Sequence, residues 1–103
     1  LLSDSKFRQR GGVFLLCRMG CSVLDYLDQG DSCLLFPEMS KFGATLSLLG
    51  AVLRLRWRVH KPIRAYIDIA DPAECRLGRV LVWLGATVCD SIYDHRCPEF
   101  VLP

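Results

Sequence analysis

The sequence predicts a mainly β protein, an antiparallel sandwich or a partial jelly roll with one short helix. Three observations predict it. Over residues 53–60, Leu-Arg-Leu-Arg-Trp-Arg-Val-His, apolar and basic side chains alternate strictly. Period two is the pattern of a strand with one face on a core and the other on water or a partner. Continuous apolar runs at 13–17 and 79–89 read as strands buried on both faces, and the run at 33–36 as a short strand. Only residues 40–49 space their apolar side chains as a helix does.

The 103 residues suit a single domain. A hydrophobic share of 51% and a net charge of +2 exclude a disordered chain. Eight Gly and five Pro exclude collagen and low-complexity linkers.

Taken in order, residues 1–12 are polar and basic and end in Gly11-Gly12. They are expected to form a flexible basic arm ahead of one β-rich domain over 13–103. The first strand follows at 13–17. Asp25, Asp28, Gly30, Asp31 and Ser32 make a turn-rich segment. A second short strand at 33–36 is stopped by Pro37. The helix over 40–49 uses Phe42, Thr45, Leu46 and Leu49, with Ser40 as N-cap and Gly50 as its stop. The alternating strand comes next, interrupted at Lys61-Pro62 because proline cannot donate to a ladder. Alternation resumes through Ile63, Ala65, Ile67 and Ile69, as a hairpin partner or a continuation bent at Pro62. Asp71-Pro72 and Leu77-Gly78 bound a loop. Residues 79–89 then read as a buried strand in which Gly85 marks a bulge or a close backbone approach. Pro98 and Pro103 discourage regular structure in the tail.

Chemistry is sparse. The six cysteines sit in apolar runs such as Leu15-Leu16-Cys17 and Thr87-Val88-Cys89, where a thiol serves as a small hydrophobe. Buried reduced thiols are favoured over a disulfide framework. Cys17 and Cys21 are spaced C-x3-C but lie on no knuckle. Cys89, His95 and Cys97 are the weak alternative for zinc, which wants four thiolate or imidazole ligands. Asp94-His95 beside Cys97 imitates a catalytic arrangement but reads as a surface loop, since triad members converge from separate segments. The acids at 25, 28 and 31 read as solvated turn residues, and Asp68 and Asp71 as the flanks of a strand end. Neither common phosphate-loop motif occurs. The expectation is therefore no enzyme, no catalytic residue, no cofactor and no small-molecule substrate.

One surface is left for function. Ten of the thirteen basic residues are Arg, the cation suited to phosphate and interface contacts. On an extended segment Arg54, Arg56, Arg58 and His60 share one face, joined by Arg64, about 6.5–7 Å apart along the strand. Such a row tracks a phosphate backbone or an acidic partner. Trp57 and Val59 fall on the opposite face, so no aromatic stacking platform shares it.

The segment Phe42-Gly43-Ala44, then Gly50, then Val52-Leu53-Arg54-Leu55-Arg56-Trp57 resembles part of the coat-protein jelly roll of plant picorna-like viruses, the nepovirus type in particular. The apolar stretch Arg79-Val80-Leu81-Val82-Trp83-Leu84-Gly85 stands where that family has a further strand, and residues 13–17 where it has an opening one. The resemblance covers about half the chain and implies a viral shell segment. It implies self-association and contact with RNA or a neighbouring subunit through the basic face. A full jelly roll has eight strands, so this chain would supply only half, leaving edges and an apolar face that invite association. The alternative is a small β-rich module binding nucleic acid or an acidic protein. The expected location is virion or cytoplasm, not secreted: the start lacks the basic-then-apolar order of a signal. The apolar stretch at 42–53 is also too short to span a bilayer.

Overall fold

Alternation builds the middle of the sheet. In β3 (Ser22–Asp28), Leu24 and Tyr26 are buried while the residues between them turn the other way. β4 (Cys33–Leu35) buries Cys33 and Leu35, and β5 (Ile63–Tyr66) buries Ile63 and Ala65. β7 (Glu99–Leu102) buries Phe100 and Leu102. Together with β1 (Arg8–Gln9), β2 (Gly12–Met19) and β6 (Thr87–Cys89), these strands form one seven-stranded sheet, ordered β1-β2-β3-β4-β5-β7-β6. The computed structural model describes residues 8–9, 12–19, 22–90 and 95–103, the first two stretches as backbone only.

Every neighbouring pair is antiparallel except β4–β5, where Cys33 faces Ile63 and Leu35 faces Ala65 in parallel register. A parallel pair needs a crossover. Here it is α1 (Thr45–Val59), reached through a 3-10 turn at Pro37–Met39. A second helix, α2 (Pro72–Trp83), leads from β5 towards β6. Leu48, Ala51, Val52 and Leu55 of α1 and Leu77, Val80 and Leu81 of α2 join the buried strand residues in one core. The helices therefore share a face of the sheet.

Strands at 13–17 and 33–36 are found as the sequence predicts, and so is the turn between β3 and β4. There Gly30 has φ 96° and its N–H donates to Asp28 Oδ1 at 3.0 Å. Much of the rest is corrected. The protein is β-rich but mixed α/β. Among the described residues there is one sheet and two helices, not the paired sheets of a sandwich or jelly roll. Residues 53–60 are not a strand: residues 53–59 are the second half of α1, and His60 caps it in the left-handed region at φ 52°. The segment after Pro62 pairs with β4 and β7, not with residues 53–60. Asp25 to Asp28, the first part of the segment read as turn-rich, belong to the strand Ser22–Asp28, in which Leu24 and Tyr26 share one buried parity. Residues 79–89 hold the end of α2 and the exposed β6. Gly85, at φ 108°, ends the helix: its N–H donates to the Val82 carbonyl and that of Ala86 to Leu81. The tail expected to lack regular structure supplies β7, which lies between β5 and the edge strand β6. Residues 1–7 of the expected arm lie outside the described residues, while Arg8 and Gln9 pair with β2 as β1.

Candidate docking surface

An α-helix turns about 100° per residue. Around α1, Leu48, Ala51, Val52, Leu55 and Val59 therefore gather on one side, which meets the sheet. Leu46, Gly50, Leu53 and Trp57 gather almost diametrically opposite, about 170° away. The strict alternation over 53–60 thus becomes a helix with two apolar stripes. The inner one is buried. The outer one is open: Leu46 is 80% exposed, Leu53 46% and Trp57 80%.

The arginines divide by the same geometry. Arg54 and Arg58 lie about 40° apart, exposed along one border of the outer stripe. Neither makes a hydrogen bond or ion pair with a described residue. Arg56 falls on the other side, half-buried, its Nε donating to the Pro103 carbonyl at 3.1 Å. His60 is exposed and stands at the helix C-cap, its backbone N–H donating to the Arg56 carbonyl. Arg64 is removed altogether, since it lies on the sheet face away from the helices. Its Nε donates to Glu99 Oε2 at 2.5 Å, and its other nitrogens donate to the Tyr66 hydroxyl and to Gln29 Oε1. Glu99 holds that guanidinium more firmly protonated than usual. The expected row of five basic residues is thus two exposed arginines beside a tryptophan.

The helix also reverses the expected place of Trp57. An extended segment would put it opposite the arginines, whereas the helix sets it beside them. Gly50, Leu53, Arg54 and Trp57 line an open hollow of about 470 Å³ on this surface. A glycine between leucine and tryptophan leaves a gap on a helix surface into which a neighbouring side chain fits.

The zinc alternative gains nothing. Cys89 and His95 are exposed and Cys97 half-buried. Among the described residues no group of three His, Cys, Asp or Glu is placed to hold a metal ion. Cys33 is a buried core thiol, whereas Cys89 lies exposed on the outermost strand. Cys17, Cys21 and Asp94 have no described side-chain surroundings. No helix among the described residues is long and apolar enough to cross a membrane.

No family model, curated protein or solved structure matches the chain. The coat-protein resemblance stays an expectation without a matching relative.

The outer stripe was missed by reasoning from period two. The signal for it was present, since residues 48, 51, 52, 55 and 59 carry a helical apolar period straight through the alternating stretch. Once that stripe is assigned inward, residues 46, 53 and 57 are left without a core to enter.

Proposed function

We propose that the protein is a non-enzymatic interaction module whose α1 outer face receives an amphipathic helix with acidic flanks. The observation that carries this is the outer stripe of Leu46, Leu53 and Trp57 bordered by two guanidinium groups that are unpaired among the described residues. Apolar side chains this exposed on a helix are characteristic of partner contact. Positive charge at the rim selects an acidic partner and steers it in. Two leucines and a glycine gap leave most of the stripe aliphatic, which favours protein over nucleic acid, since only Trp57 offers a base a ring to stack on. Arg54 and Arg58 also disfavour a second copy of the same face, where like charges would meet. The coat-protein and RNA-tracking reading stood on an extended row of arginines. With that row helical, the acidic-protein alternative is the better supported.

The test is calorimetric titration with a synthetic 18-residue helix carrying a leucine seam and Glu flanks, alongside its Lys-flanked twin and a uridine homopolymer. The Glu-flanked peptide should bind and the Lys-flanked one should not. Replacing both arginines, Arg54→Gln with Arg58→Gln, should weaken binding about tenfold and flatten its salt dependence. Equal binding of the two peptides overturns the reading. So does a preference for the homopolymer, or a dimer in light scattering that Trp57→Ser dissolves.

A further inference from the structure

A second apolar hollow lies on a different surface, between α2, β7 and the segment leaving β5. Its free volume is about 340 Å³, at the small end of ligand sites. Ile67 and Phe100, both buried, form its inner part. Ile69, Val82 and Trp83 form its rim and are 55%, 46% and 64% exposed. The hollow owes part of its shape to Gly78. A β-carbon there would sit 3.1 Å from Phe100 Cζ, so only glycine lets the ring pack this closely against bare helix backbone.

Two polar groups line it. The Cys75 thiol is engaged, donating to the Ile69 carbonyl at 3.2 Å. Arg79 is not engaged. It is exposed, lines the hollow and makes no hydrogen bond or ion pair with a described residue. Among the described residues no carboxylate lines the cavity. The surface is thus a greasy concavity with one guanidinium, unpaired among the described residues, at its edge. That is complementary to a hydrocarbon tail ending in a carboxylate: the tail removes the apolar lining from water and the head pairs in a charge-assisted fork.

We infer that this hollow binds a medium-chain monocarboxylate, the tail against Ile67, Val82 and Phe100 and the carboxylate on Arg79. Polar specificity in such sites comes from a few placed groups in an apolar lining, and here Arg79 is that group. The site is independent of the α1 face, and either can fail without the other.

Isothermal titration with decanoate below its micelle-forming concentration tests it, with decanol and decyltrimethylammonium as the uncharged and cationic twins. Decanoate should bind saturably at one site and the cationic twin should not. Arg79→Gln should weaken decanoate about tenfold or more, the loss expected for a charge-assisted hydrogen bond, while changing decanol less than twofold. Arg79→Lys should restore most of the decanoate affinity. The proposal is overturned if all three amphiphiles bind alike, if decanoate shows no saturable binding, or if Arg79→Gln leaves it unchanged.

Discussion

Glu74 shows how a single side chain fixes a local structure and charges the molecule for it. It is 8% exposed, and its Oε1 accepts the Asp68 N–H at 2.9 Å, tying α2 to the loop after β5. Burial raises its pKa above the usual glutamate value of 4.5. The Asp68 N–H opposes this, while the charges of Asp71, Glu38 and Asp68 add to it. A carboxyl whose folded pKa is raised binds its proton more tightly folded than unfolded. Its ionisation therefore costs stability, a cost that develops as pH rises through 4.5 and is complete above the folded value. Asp25, raised by burial with Oδ1 left without a partner, acts in the same sense. Asp28 acts in the opposite sense. Its pKa is lowered first by the Lys61 hydrogen bond and then by the Gly30 N–H, so its contribution is lost as pH falls through the folded value. Glu74→Gln keeps an acceptor for Asp68 and removes the charge. Its urea midpoint should exceed that of the parent at pH 7 and converge on it by about pH 4; an equal gap at both pH values would mean that packing, not charge, is responsible.

At the scale of elements, the two helices contrast in how their ends are made. α2 starts with the Asp71 side chain accepting from the N–H groups of Ala73 and Glu74, has Pro72 at its first position and ends at Gly85. Those are the start and stop signals of a helix, and they were legible in Asp71-Pro72, Glu74 and Gly85. Reading Pro72 and Gly78 as loop markers hid them. α1 has no such start: Ala44 supplies no side-chain cap and no acid lies in the first turn. Its existence depends on the sheet it covers. Gly85→Ala forces a side chain into the left-handed region and should cost about 1–2 kcal/mol, read as a lower urea midpoint with unchanged slope. No loss would show that Leu84 and Ala86 end the helix without it.

Across the whole molecule, the core is continuous from β3 to β7 under both helices, and the radius of gyration is 12.8 Å. That is the size expected of a folded domain of this length, so unfolding should be a single cooperative transition. The outer stripe of α1 is not part of that core. Replacing Leu46 and Trp57 together by Ser should leave stability within about 0.5 kcal/mol and abolish binding of the Glu-flanked peptide. A large loss of stability would place those side chains in the fold and not on a docking surface.

Local chemistry by itself settled the turn at Gly30 and the strands at 13–17 and 33–36, because each depends on neighbours within a few residues; α2 carried its start and stop signals in the sequence but reads there as a loop and a strand. Local chemistry did not settle the fate of residues 53–60. Alternating leucine and arginine can be a strand with one greasy face or a helix with two, and intrinsic propensity separates them by fractions of a kcal/mol per residue. The choice fell to the helix because a helix buries Leu48, Ala51, Val52 and Leu55 together in one core with the inward residues of the sheet. The same burial turned Leu46, Leu53 and Trp57 outward beside Arg54 and Arg58, and left Arg64 to Glu99 on the far side of the sheet.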